Sequence, residues 1–402
     1  MNKWLSVVAI VVLCLTLVIG VACGGGGEEE EEGVTEIKFG FGLSFMGAVG
    51  AVIGVPARDA WKMTNEEMGI FEVGGKPYRW KLIFEENQFN TPGGVASASK
   101  LIFEHDVDIM WQFGSDASMA AYEFCHDAEM ILDASGLASY NLGPERPYLF
   151  QVALTADFLY PHYFDWLSRE HPEVQRVVVV ATEDLMGRSI AYPIETLCEY
   201  YGLEETTIWV PTGTVEYFPI ATKVMTYDPD LVVISQSAFD EMWDLGYEGW
   251  FVTMGFEETL YGTPDWDKCI GNVFEVGPHM HGPWPEVADF RERFQERFGY
   301  ELGTWPTYTR QVLMVWTEVL KKAGTADFEN DIDKIIETAE TELFDTPYGP
   351  CLFGGEVVNE IGHILVTEDA INVIAGPSDY QLVEHITAEE NQALAQMIYG
   401  SE

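Results

Sequence analysis

Apolar positions along this chain fall into short solid runs, separated by longer stretches with helical spacing. The first run, residues 37–41, ends in the Gly-rich turn Gly42-Leu43-Ser44-Phe45-Met46-Gly47. Ala57, Ala60, Trp61 and Thr64 then recur at helical spacing within residues 56–68. Residues 78–85 predict a second strand, and Asn90-Thr91-Pro92 opens a helix with cap and proline in the right order. A buried strand over 107–113 follows, then the small-residue loop Gly114-Ser115-Asp116-Ala117-Ser118. A helix is expected from about Ser118 to 128, with Ser118 as its N-cap. The next strand, 130–134, runs into Ser135-Gly136-Leu137-Ala138-Ser139.

The alternation resumes after Phe150-Gln151-Val152. A helix over 157–169 precedes the run VVVVA at 177–181, which reads as a fully buried strand. Residues 182–188 lead into a helix to Tyr201. Strands at 207–210, 231–235 and 250–254 alternate with helices at 218–225 and 240–245. Such alternation predicts a parallel sheet with helices on both faces, and its repetition predicts two lobes. From Pro278 the texture changes to a loop or crossover, then helices at 286–298, 307–323 and 329–342, then strands and turns over 348–374. Ligands of open α/β sheets bind outside the carboxyl ends of strands. The loops at 114–118, 135–139, 182–187 and 236–239 are therefore the candidate ligand contacts.

Composition narrows the class. The 402 residues are 47% hydrophobic, enough for substantial cores in two lobes. Twenty-one Lys and Arg stand against 66 Asp and Glu, a net charge of −45. Nucleic-acid binding needs clustered cations, so this balance argues against it, and against docking on anionic lipid through a basic patch. The six cysteines, Cys14, Cys23, Cys125, Cys198, Cys269 and Cys351, contain no CxxC pair. The last four are either disulfides of an exported protein or buried thiols. His279 and His281 form an HxH with no third ligand at metal spacing, and neither a GxSxG elbow nor a Walker loop is present. Acid pairs such as Glu66-Glu67 read as solvated surface.

The N-terminus has Lys3, then an apolar run from Trp4 to Ala22, then Cys23 and a Gly/Glu tract. That is the shape of an export signal. It resembles a bacterial lipoprotein signal, in which the Cys is lipidated and becomes the new N-terminus. Residues 1–22 are then the signal peptide and 23–35 the lipidated Cys23 with a flexible tether.

In their order these pieces resemble a known family, the extracytoplasmic solute-binding proteins of branched-chain amino acid ABC transporters, with the type I periplasmic-binding fold. The matching stretches are Gly42-Leu43-Ser44, Ala57-Arg58-Asp59-Ala60, Glu85-Glu86-Asn87 with Pro92 and Ala96, Gly114 to Ser118, Ser135 to Ser139, Thr182 to Gly187, and Phe344 to Pro350 with Phe353. The resemblance implies an α/β protein of two lobes, each a mainly parallel sheet flanked by helices, joined by three crossovers. It implies lobe one from 36–152 with 282–345, and lobe two from 153–281 with 346–402. The ligand lies in the cleft, and the lobes close on it by a hinge.

The resemblance also implies roles. Ser118, with Ser115 beside it, takes a carboxylate. Gly136 and Ala138 give backbone contacts, with Ser139 near. Glu257 of lobe two, with Glu258 as its competitor, takes an ammonium, and Asp116 is a second candidate. Met186 and Ala238 stand where the family often has aromatics; Phe45, Phe239 and Trp111 are the substitute walls. Asp116 repels a carboxylate, so an amide, a cation or a neutral polar solute also fits. The function implied is capture of a small polar solute, an amino acid or relative, and its delivery to an ABC permease. The protein is then a monomer outside the cytoplasm, held to the membrane through lipidated Cys23, with neither catalysis nor cofactor. The alternatives are a receptor or sensor module of the same fold, a binder of an amide, cation or aromatic acid, and a cleft enzyme.

Overall fold

The strands β1 (Thr35–Leu43), β2 (Phe71–Val73), β3 (Lys76–Glu86), β4 (Ile109–Phe113), β5 (Leu132–Ser135) and β6 (Leu149–Phe150) form one sheet in the order β2-β3-β1-β4-β5-β6. β1, β4, β5 and β6 run parallel, and β2 with β3 is an antiparallel hairpin at the edge. All of β4 is buried, which is why it reads IMWQF without alternation. The computed structural model describes residues 33–136, 138–212, 214–234, 238–254, 265–278, 282–377 and 379–400. The expected signal peptide, Cys23, Glu257, Glu258, His279 and His281 lie outside the described residues.

The second sheet holds β7 (Arg176–Thr182), β8 (Glu204–Val210), β9 (Leu231–Ile234), β10 (Trp250–Thr253) and β11 (Val273–Val276), all parallel where paired. Two late strands, β15 (Asp369–Gly376) and β16 (Asp379–Ile386), extend it antiparallel from β11. A small antiparallel sheet of β12 (Leu343–Thr346), β13 (Gly349–Gly354) and β14 (Ile364–Val366) lies between these in sequence. It is stitched to the first crossover, where Gln151 N donates to His363 O at 2.9 Å and Leu365 N donates to Gln151 O at 2.9 Å.

The late helices return to the first sheet. Trp61 donates its indole N–H to Thr309 O at 2.9 Å, and Trp80 donates to Thr317 Oγ1 at 2.8 Å. These contacts bring the short helix Thr304–Thr309 and the helix Gln311–Ala323 onto the first lobe. Residues 36–402 thus fold as one compact unit in which the chain passes between the sheets more than once.

Several expectations need correction. The helix expected from Ser118 begins at Ser115, with Gly114 at its N-cap position. Gly114 turns the strand straight into the helix at φ +92°, so no Ser cap is needed. The helix expected over 157–169 is two, Ala156–Leu159 and Pro161–Glu170, because Pro161 has no N–H to continue the first. The helix expected over 307–323 starts at Thr304 and is broken at Arg310. Of the two states left open for the last four cysteines, the structure has the buried thiol at Cys125, Cys198 and Cys351, and Cys269 is buried too.

Candidate functional site

The carboxyl ends of β1, β4 and β5 lie side by side on the first lobe. Ser115 sits just past β4, and its hydroxyl donates to Gly136 O, just past β5. The helix Ser115–Asp127 starts here, and its first N–H groups have no carbonyl within the helix to meet. Such a start suits a carboxylate. Ser118 lies deeper: it is fully buried, and its Oγ donates to Gln112 O at 3.2 Å. Ala138 N donates to the Asn141 side chain at 3.2 Å. Phe45 is half-buried, donates its N–H to Glu86 Oε2 at 2.8 Å, and has the Arg58 guanidinium 5.7 Å over its ring.

Across the cleft, Asp184 caps the helix Leu185–Tyr201 by accepting from Gly187 N at 2.9 Å. The hydroxyls of Thr182 and Thr212 also donate to it, at 2.6 and 3.0 Å. Met186 follows in the first turn. Ala238 is fully buried in the core of the second sheet. Phe239 and Trp111 are core residues as well, packed on Phe251 and Trp61. Asp116 is exposed and opposes Asp184. Desolvation of its carboxyl, then the charge of Asp184, hold its pKa above the ordinary aspartate value.

Between the strand ends lies a narrow space of about 10 Å³, room for about one water, so a solute enters only as the lobes part. Gly136 and Trp305 close it from the first lobe, and Met186, Ser189 and Met254 from the second. Leu154, Thr155, Ala156 and Leu159 of the first crossover form its floor. An adjoining space of about 30 Å³ shares Leu154, Leu159, Met254 and Trp305 and continues to Gly277, Thr304 and Tyr308. The walls are mostly apolar, with the hydroxyls of Thr155, Ser189, Thr304 and Tyr308 among them, and among the described residues no charged side chain lines either space.

Behind the lining residues Gly136, Thr155 and Ala156 stand buried polar groups. Among the described residues, Ser135 Oγ, Thr155 Oγ1 and Asp157 Oδ2 are buried without a hydrogen-bond partner. Burial pushes the Asp157 carboxyl above the usual aspartate range; the nearby hydroxyls of Ser139 and Thr155 oppose that shift without bonding Oδ2. A buried, half-satisfied carboxyl is expensive unless something donates to it.

Of the residues expected from sequence, Gly136 and Met186 line this space, Ser115 joins it through Gly136, and Ser139 lies outside the lining, close to Asp157. Sequence reasoning missed Trp305, Met254 and Asp157. Asp157 had a visible signal: it is the one acid in the apolar stretch 149–160. Among the described residues no cluster of metal-ligating side chains occurs, and no helix is long and apolar enough to cross a membrane.

A family profile described as periplasmic binding protein matches residues 36–359. No curated protein matches the chain. Among solved structures, a solute-binding protein of an ABC transporter from Rhodopseudomonas palustris, in complex with 3,4-dihydroxybenzoic acid, is 18% identical with a TM-score of 0.73, covering 88% of this chain and 98% of that one. A leucine-binding protein from Thermotoga maritima is 15% identical with a TM-score of 0.71, over 88% and 99% of the two chains. A closed leucine-, isoleucine-, valine-, threonine- and alanine-binding protein from Brucella ovis is 14% identical with a TM-score of 0.74, over 89% and 96%.

Proposed function

This chain belongs to the periplasmic binding protein family, and from that premise we propose that it captures a small solute between its lobes and delivers it to an ABC permease. The observation that carries the reading is the cavity itself. Residues of both sheets and of the first crossover meet around one apolar space, so a solute there touches both lobes and favours their closure. The solute has an apolar body, packed against Trp305, Met254, Leu154 and Leu159. It carries an anionic group for the helix start at Ser115 and a donor group for Asp157.

Two classes meet that description, an aliphatic amino acid and a hydroxylated aromatic acid. Relatives of similar fold bind leucine in one case and 3,4-dihydroxybenzoic acid in another. The protein is a binder rather than an enzyme, acts outside the cytoplasm as a monomer, and is held to the membrane by lipidated Cys23. Cys23→Ser is expected to release it from membranes in fractionated cells; membrane retention of that variant would refute the anchor.

Titration of the mature protein with leucine, isoleucine, benzoate and 3,4-dihydroxybenzoate, followed by tryptophan fluorescence and melting, tests the capture. A solute at 100-fold over its Kd should add about 2.7 kcal/mol of stability. Trp305→Ala should abolish most of the fluorescence response. Silence toward all four solutes would overturn the proposed solute class.

A further inference from the structure

Two consecutive non-glycine residues, Gln88 (φ 53°) and Phe89 (φ 52°), stand in the left-handed region at the end of β3. L-residues with branched or bulky side chains avoid that region, whereas glycine takes it freely. The loop is held there from both sides. Glu86 accepts from Phe45 N at 2.8 Å and from Gln88 N at 2.7 Å. Asn87, fully buried, accepts from Phe89 N at 3.0 Å and donates to Gly42 O and Phe113 O at 3.0 and 2.9 Å.

The outcome of this bracing is the placement of one ring. Phe89 lies on Gly114 and leans on Phe113, with ring centroids 5.1 Å apart. A β-carbon on Gly114 would fall 2.7 Å from the Phe89 ring, so the glycine at the head of the ligand loop is required by the ring above it. Phe89, Gly114, Ser115 and Gly136 form a continuous row from the rim of the first lobe to the cavity wall. Yet Phe89 as a residue is 36% exposed. Packing alone would cover it, and packing alone would not need two left-handed residues.

We propose that Phe89 is a solute-contacting residue that selects solutes with a planar face. Its open face forms the flat wall of the cleft mouth, beside the helix start that takes the anionic group. Strained positions of this kind persist where the surrounding structure over-determines them for a function. This inference rests on the solute-binding reading and narrows its solute class to planar, aromatic acids.

The test compares wild type with Phe89→Gly, Phe89→Leu and Phe89→Tyr, using 3,4-dihydroxybenzoate and leucine as probes and melting temperature as control. Phe89→Gly relieves the backbone and is expected to keep or raise the melting temperature. It should weaken 3,4-dihydroxybenzoate about 3- to 10-fold, the scale of a lost aromatic stacking contact. Phe89→Leu, which keeps apolar cover on Gly114 and Phe113, should weaken it similarly, and Phe89→Tyr should restore it. Unchanged affinity in the Gly and Leu variants overturns the proposal, with or without a fall in melting temperature. Binding of leucine but not 3,4-dihydroxybenzoate by wild type also overturns it, while leaving the solute-binding reading in place. Binding of neither probe overturns that reading, and this inference with it.

Discussion

Trp316 donates its indole N–H to Asp133 Oδ2 at 2.8 Å, deep in the first lobe. The other oxygen, Oδ1, accepts from Val152 N at 2.8 Å. One buried carboxyl on β5 therefore fixes both the start of the first crossover and a helix that the chain adds much later. The crossover bears on the cavity through Leu154.

That carboxyl gives the protein a stability slope with pH. Burial pushes its pKa up to about 7, against about 3.9 in an unfolded chain. Between those values the folded state binds more protons than the unfolded one. The contribution of Asp133 is thus greatest in acid, falls as pH rises from about 4 to about 7, and is flat above. Asp133→Asn should remove this slope from urea midpoints measured at pH 5 and pH 8. Asp133→Ala should destabilise by about 1–3 kcal/mol for each of the two donors left buried. An Asn variant with the wild-type slope would refute the assignment.

Asp157 separates the two solute classes. An ammonium group against it stabilises the charged carboxylate and lowers the raised pKa of the empty site. Affinity for leucine should therefore fall as pH drops through the range where the carboxyl takes up a proton. Asp157→Asn should weaken an ammonium-bearing solute by roughly 30-fold or more, the scale of a broken buried charge pair. A phenolic hydroxyl can donate to an amide oxygen as well as to a carboxylate, so 3,4-dihydroxybenzoate should lose less than about 10-fold. Calorimetric titration of both solutes reads this directly; equal losses would mean Asp157 does not face the solute's donor group.

Asp116 works against an anionic solute, and the pair it makes with Asp184 works against closure. Both charges are accessible to solvent, so the effect is small and salt-sensitive. Asp116→Asn should tighten an aromatic acid about two- to fivefold in low salt and scarcely at all at about 1 M salt. Acidification should mimic the mutation in wild type, because protonation of the raised carboxyl removes the repulsion. A variant no tighter than wild type in low salt would show that the repulsion does not reach the solute.

Much of this architecture is legible from periodicity. The runs at 177–181 and 231–234 read as buried strands because helices cover both their faces, leaving no polar side to blur the pattern. Asn90 reads as a cap and is one, accepting from Gly93 N at 2.9 Å. The edges were harder. β16 carries Asp379, Gln381, Glu384 and His385 on a half-exposed strand, so its apolar signal is weak. The last helix had a capping-box signature in Thr387 and Glu390, which the hydrophobic pattern alone passes over. The cleft was legible by its strand ends but not by its floor. Leu154, Thr155 and Leu159 belong to a crossover, and Trp305 arrives from far along the chain, so only the assembled fold brings them together.

The two serines at the head of the loop divide the last question between affinity and stability. Ser118 is enclosed, and its hydroxyl already donates to Gln112 O. Ser118→Ala should destabilise by about 1 kcal/mol and leave solute affinity within about twofold. Ser115 links the helix start to Gly136, which is itself a wall of the cavity. Ser115→Ala should loosen that wall and the N–H groups beside it, weakening an anionic solute by roughly 5- to 10-fold with little change in melting temperature. Parallel calorimetry and thermal melts on the two variants separate these effects. The reverse pattern, with affinity lost at Ser118 and kept at Ser115, would mean that the lobe rearranges on binding to expose the deeper hydroxyl, and that the helix start as seen here is not the bound form.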